Sequence, residues 1–155
     1  MRTKAHEFFE VHAVPNIEAW LKEPTDIRLA MNATVSLYHM ADHFWHTYSL
    51  VDVTRVFGTP DASAFRAELA RRNGNFKLLR DVAEAHKHME LDRSSRVITH
   101  ADQTAVGATG WGEAAYGTGP FGGVPSIVVR QDDDTKHHLS YLAEEVKQLW
   151  VCALK

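Results

Sequence analysis

The fold of this chain is decided by the stretch Tyr38-His39-Met40-Ala41-Asp42-His43-Phe44-Trp45-His46. An α-helix turns by about 100° per residue, so side chains three and four positions apart share one face. Apolar residues in and around this stretch have that spacing and predict a long helix over about 26–49. Its buried stripe is expected to hold Ala30, Ala33, Leu37, Ala41, Phe44 and Tyr48. Its opposite, polar face holds His39, Asp42, His43 and His46.

The polar face of this helix carries candidate metal ligands. His39 and His43 are four residues apart, as are Asp42 and His46, so the members of each pair can meet across one turn. Imidazole and carboxylate groups that converge from a helix form a donor set that suits zinc, manganese or iron. The same pattern is typical of a solvated polar face, and the sequence leaves both interpretations open.

A second polar cluster lies in the segment Arg80-Asp81-Val82-Ala83-Glu84-Ala85-His86-Lys87-His88. The apolar residues of this region predict a helix over about 75–91. The polar face of that helix holds Arg80, Asp81, Glu84, Lys87 and His88. His86 is expected to point toward the core, where a buried histidine needs a hydrogen-bond partner.

These two helices are expected to pack side by side. Each carries a polar strip beside an apolar face, and two such strips are best satisfied when they share a pocket. Asp42 or His46 is therefore expected to lie near Asp81 or His88.

The chain as a whole predicts a mainly α fold. We expect a bundle of four to five helices with a small antiparallel β-hairpin inserted before the last helix. A first helix over about 4–13 should end before Pro15, and another should cover about 62–72. The last helix is expected over about 136–153, with its first turn exposing His137 and His138.

The amino-acid composition changes between the second motif and the last helix. Runs rich in β-branched residues at 96–99 and 126–130 predict two strands. A glycine-rich loop at about 101–125 is expected between them. With 155 residues, the chain suits a single domain over residues 1–155 with a full core.

The composition of the chain argues against several classes of function. The net charge is −3, so no strongly basic surface for tight, nonspecific nucleic-acid binding is indicated. Cys152 is the only cysteine, which excludes an intrachain disulfide and fits a reducing cytoplasm. No apolar run approaches the roughly 20 residues that span a bilayer, so no membrane association is expected.

The two motifs resemble those of a widespread family of small helical bacterial proteins without an assigned activity. The matching positions are Tyr38, His39, Asp42, Trp45 and His46 in the first motif and Asp81, Ala83, Lys87 and His88 in the second. The resemblance extends to the layout of two motif helices, a short β segment and a closing helix. Glu84 departs from the family pattern, in which this position is typically Asn.

The second segment also resembles, more loosely, the HEPN superfamily of helical domains, many of which are metal-independent ribonucleases. The signature of that superfamily is an Arg, a polar residue and then a His a few positions on. Arg80, Asp81 and His86 have this spacing, and His88 lies just beyond it. The resemblance implies that Arg80 stabilises a phosphate oxyanion, that His86 or His88 transfers protons, and that two protomers form a homodimer around the site.

Three interpretations follow from these observations. The first is a HEPN-like ribonuclease with RNA as its substrate, or an inactive relative of one. The second is a metal-binding bundle in which the first-motif ligands are joined by Asp81, Glu84 or His88. The third is a non-catalytic dimeric interaction module. The nuclease interpretation is favoured because a fold-level resemblance supports it.

Overall fold

A computed structural model describes residues 2–88, 91, 96–108 and 125–155 of the chain. Its helical segments, in chain order, are α1 (Lys4–Phe8), a π-helical turn (Phe9–Ala13), α2 (Val14–Lys22), α3 (Ile27–Tyr48), a 3₁₀ turn (Val53–Val56), α4 (Ala62–Arg72), α5 (Gly74–His88), a second 3₁₀ turn (Ala101–Gln103) and α6 (Leu139–Ala153). Its strands are β1 (Thr104–Gly107), β2 (Ser126–Arg130) and β3 (Lys136–His138). The fold is mainly α with a small antiparallel sheet before the last helix, as the sequence predicts.

Helix α3 is the centre of the bundle, because α1, α2, α4, α5 and α6 all pack against it. Its start is fixed by Asp26, whose Oδ1 accepts a hydrogen bond of 3.1 Å from the backbone N–H of Leu29. The predicted stripe from Ala30 to Tyr48 is buried at every one of its six positions. The side-by-side packing predicted for the two motif helices is confirmed, since α3 contacts α5.

The N-terminal helix does not end before Pro15, and that prediction is wrong. The chain continues through the π-helical turn, in which the N–H of Val14 donates to the carbonyl of Phe9, and then enters α2. Pro15 lies in the first turn of α2. A π turn is wider than an α turn. It keeps Phe9, Ala13 and Ile17, which are spaced by four, on the core side.

The predicted strand at 126–130 is confirmed as β2, whereas the predicted strand at 96–99 is wrong. β2 pairs in antiparallel fashion with β1 on one side and β3 on the other. Residues 96–99 are instead irregular. Arg96 and the N–H of Val97 donate to Asp81 on α5, while Val97 O accepts from Asp132 N (2.9 Å) and Thr99 O from Leu91 N (2.7 Å). Most of the predicted glycine-rich loop, residues 109–124, lies outside the described residues.

The last helix begins at Leu139 because the three residues before it belong to β3. The prediction that His137 and His138 are exposed in a first helical turn is wrong, because both belong to β3. His138 is 2% exposed, and its Nδ1 lies 2.8 Å from Ser126 Oγ across the sheet. No helix among the residues the structure describes is long and apolar enough to cross a membrane.

Candidate functional site: a cationic groove between α3, α4 and α5

A groove of about 710 Å³ lies where α3, α4 and α5 meet. Both sequence motifs contribute to its wall. Its charged and titratable lining residues are Tyr38, His39, Arg66, Arg80, Glu84, His86, Lys87, His88 and Arg96. Four of these side chains carry a permanent positive charge and one is a carboxylate. Three of the four cations, Arg66, Arg80 and Arg96, pair with the carboxylates of Asp42, Asp81 and Glu84, so these seven side chains together keep a net positive charge of one.

Asp81 lies behind the wall of the groove and is fully buried. Its Oδ1 accepts from Arg80 Nε (3.0 Å) and Nη2 (2.9 Å) and from Arg96 Nη1 (2.6 Å). Its Oδ2 accepts from the backbone N–H of Val97 (3.1 Å). A buried carboxylate is tolerated when its charge is paired and its oxygens are hydrogen-bonded. On the predicted polar face of α5, Asp81 is thus the fully buried member, and its partners include Arg96 and Val97 from the segment that follows the helix.

Glu84 joins the two motif helices. Its Oε1 accepts a hydrogen bond of 2.6 Å from Tyr38 Oη, and its Oε2 pairs with Arg96 Nη2. Burial, reinforced by the hydrogen bond to Glu84, raises the pKa of Tyr38 well above its ordinary value. Tyr38 is thus held in its neutral form as a donor.

Tyr38 and His39, rather than Asp42 or His46, share the groove with Glu84 and His88. The meeting point of the motif helices lies about one turn earlier on α3 than the sequence predicts. The reason is α4, which supplies Arg66, whose Nη1 pairs with Asp42 Oδ1. Asp42 therefore has its counter-ion on α4 instead of α5.

The last turn of α5 brings both candidate histidines to the groove. His86, Lys87 and His88 are all exposed, so the prediction that His86 points toward the core is wrong. The buried stripe of α5 runs through Val82 and Ala85 and does not include this last turn. Because all three residues of this turn are exposed, helical periodicity does not identify a buried face among them. Both His86 and His88 line the groove together with Arg80.

The four predicted metal ligands are not brought together. His39 lines the groove, Asp42 is paired with Arg66, His43 stacks on the Phe8 ring at 3.7 Å, and His46 is exposed. Across the part of the chain that the structure describes, no three His, Cys, Asp or Glu side chains form a group that could hold a metal ion. Zinc, manganese or iron binding stays a prediction without a ligand set in that part of the chain.

The rings of His43 and His12 both lie against the ring of Phe8, an arrangement that the sequence does not predict. Phe8 stacks on the His43 ring with an interplanar angle of 14°, and the ring of His12 lies 5.0 Å from that of Phe8. Burial lowers the pKa of His43, Asp42 opposes this effect, and the nearby imidazoles, His12 among them, lower it further. The wide turn at Phe9–Ala13 contributes His12, and no helical spacing in the sequence indicated it.

The lowered pKa of His43 predicts a pH-dependent stability. The unfolded chain takes up this proton first as the pH falls below about 6.5, so the folded state loses stability there and the loss levels off below the folded pKa. Burial lowers the pKa of His137 and His138 as well, with the same sign. We expect the melting temperature of the native chain to fall between about pH 7.5 and 5.5.

His43→Phe keeps a ring against Phe8 and should flatten this dependence when melting is followed by circular dichroism across the pH series. His86→Phe makes the same change at an exposed position and should leave the dependence as it is in the native chain. An equal slope for the native chain and His43→Phe would show that His43 does not contribute.

Two further groove residues, Arg66 and Arg96, were not predicted as site residues from the sequence. Each is the partner of a motif carboxylate but lies 24 or 15 residues away from it along the chain. The signal that could have indicated Arg96 is the carboxylate of Asp81 itself, beside the apolar stripe of α5.

Comparisons of the chain with known protein families, with curated proteins and with solved structures found no match.

Proposed function

We propose that the groove binds the phosphate backbone of RNA and that the chain is a HEPN-like ribonuclease that works without a metal ion. One observation carries the proposal: Arg80, His86 and His88 line one groove, and His39 lines it from the facing helix. A phosphodiester requires positive charge, and its cleavage requires groups that exchange protons near neutral pH. The groove supplies both.

Arg80 is suited to hold the phosphate. Asp81 accepts from its Nε and Nη2, which fixes the guanidinium plane. Within the described ranges, no acceptor contacts its Nη1. A guanidinium that is already oriented can stabilise negative charge on a phosphate oxygen without reorganising. Asp81 is in this proposal a positioning residue, because it is buried and acts through Arg80.

The histidines would transfer the protons. One neutral imidazole removes the proton of the ribose 2′-hydroxyl as that oxygen attacks phosphorus. A protonated imidazole gives its proton to the departing 5′-oxygen, and the products are a 2′,3′-cyclic phosphate and a 5′-hydroxyl. His86 and His88 are the candidates on α5, with His39 as the candidate on α3.

The proposal extends to a homodimer, which the HEPN-like resemblance implies. The last turn of α5 is exposed from His86 to His88, so the groove has an accessible end that a partner protomer can reach. Light scattering of the purified chain measures its mass in solution and tests this part independently of activity.

Cleavage of single-stranded RNA in EDTA tests the activity. We expect the native chain to cleave, and we expect Arg80→Ala and at least one of His86→Ala and His88→Ala to lose a factor on the order of 10² or more in rate. His46→Ala removes an exposed histidine outside the groove and should cleave like the native chain.

Circular dichroism establishes that each variant is folded. Failure of the native chain to cleave any RNA in a panel of sequences would refute the ribonuclease. Equal rates in all four variants would place the activity elsewhere.

A further inference from the structure

Arg96 is an arginine whose donors are only partly used. Its side chain is 4% exposed, and it lines the groove. Nη1 donates to Asp81 and Nη2 to Glu84, while the buried Nε has no acceptor among the residues that the structure describes. A buried donor without an acceptor is unfavourable, so Asp81 and Glu84 do not satisfy the whole guanidinium.

The two carboxylates that contact Arg96 differ in how firmly they are held. Asp81 is fully buried and accepts four hydrogen bonds from Arg80, Arg96 and Val97. The Glu84 side chain is 21% exposed, lies in the groove wall and is held by two partners, Tyr38 and Arg96. Glu84 is therefore the less firmly held of the two carboxylates that contact Arg96.

We propose that Arg96 and Arg80 form a phosphate subsite, and that the carboxylate of Glu84 occupies this subsite when no ligand is bound. This inference rests on the proposed function, because it assigns the ligand's phosphate to particular side chains of the same groove. Both guanidinium groups are anchored on the same Oδ1 of Asp81, so they lie next to each other. A phosphate oxygen takes the place of Glu84 on Arg96 Nη2, and Arg80 Nη1 donates to a second oxygen.

Glu84 then acts as a built-in competitor of the ligand. Its negative charge repels an incoming phosphate, and its hydrogen bonds to Tyr38 and Arg96 must be broken before the phosphate binds. The competition makes the subsite selective, because a ligand must bring enough negative charge to displace a carboxylate. Lys87, which also lines the groove, adds a positive charge that helps a phosphate to do so.

Calorimetric titration with inorganic phosphate at constant ionic strength tests the inference. Glu84→Gln keeps the size of the side chain and removes its charge, and we expect it to lower the Kd for phosphate by roughly tenfold or more. Glu145→Gln is the matched control, since it makes the same change at an exposed position on α6 and should bind phosphate like the native chain. Tyr38→Phe frees Glu84 from one partner and should lower the Kd by a smaller factor.

A second titration uses a short oligouridylate without terminal phosphates. Tighter binding of both probes by Glu84→Gln assigns the subsite to a backbone diester, and tighter binding of inorganic phosphate alone assigns it to a terminal or free phosphate. A folded Glu84→Gln variant that binds neither probe more tightly than the native chain overturns the inference. If Glu84→Gln does not fold, a Kd for Tyr38→Phe equal to that of the native chain overturns it.

The outcome is separable from that of the cleavage assay. Tighter phosphate binding by Glu84→Gln without any RNA cleavage would retain the phosphate subsite and refute the nuclease. RNA cleavage with an unchanged phosphate Kd in Glu84→Gln would retain the nuclease and overturn the competitor role of Glu84.

Discussion

Asp81→Ala is expected to lower the free energy of unfolding by about 3–5 kcal/mol. The substitution removes a fully buried carboxylate that pairs with Arg80 and Arg96, and it leaves Arg96, whose side chain is 4% exposed, with Glu84 as its counter-ion. It also removes the acceptor of the Val97 N–H, which attaches the irregular segment after α5 to the helix. Urea unfolding followed by circular dichroism measures the loss.

Asp102→Ala is the control for this experiment, because it removes a carboxylate that is exposed. Its effect should stay within about 0.5 kcal/mol. A loss below about 1 kcal/mol in Asp81→Ala would mean that the desolvation of the Asp81–Arg96 pair cancels its attraction, and that the pair orients the two arginines without stabilising the fold.

The second large effect is expected in the core, where Trp150→Ala should cost about 3–5 kcal/mol. Trp150 is 1% exposed on α6, and its Nε1 donates to the carbonyl of Leu37 on α3 (3.0 Å). Its ring lies 5.7 Å from that of Phe44 and 6.1 Å from that of Phe76, so it contacts both motif helices. Removing it leaves a cavity where α3, α5 and α6 meet.

Trp45→Ala is the comparison variant for Trp150→Ala in the same urea titration. Trp45 is only half-buried on α3 and donates a longer hydrogen bond of 3.3 Å to the carbonyl of Thr59. We expect it to cost less than half as much, because much of its ring is already in contact with water. Equal losses in the two variants would argue against a core centred on Trp150.

The helical part of the fold could be predicted because its signals are local. α3 and α4 were predicted to within about a residue, since Asp26 and Asp61 cap helices whose buried residues recur at three and four positions. The start of α5 follows from Asn73, whose Oδ1 accepts from the backbone N–H of Phe76 (2.8 Å). Each of these signals lies within one or two turns of the helix that it determines.

The sheet and part of the groove could not be predicted because they depend on distant partners. Residues 96–99 are rich enough in β-branched residues for a strand, yet they form an irregular segment that hydrogen-bonds to Asp81 on α5, and one of the two strands that pair with β2 is the less typical Thr104–Gly107. Arg66 and Arg96 reach the groove through ion pairs with carboxylates on other elements. The candidate histidines of α5 could be listed from the sequence, but their shared groove required the packing of three helices.

The π-helical turn at Phe9–Ala13 can be explained by the spacing of the buried residues along this segment. The buried positions from Ala5 to Trp20 follow one another at intervals of four, four, four and three. An uninterrupted α-helix would rotate three successive intervals of four by about 120° in total, away from a common face. Removing one exposed residue, such as Val11, would give intervals of four, three, four and three, the period of an ordinary amphipathic helix. The turn thus absorbs one surplus residue, and it marks the place where this segment can change its length by one without exchanging its buried face.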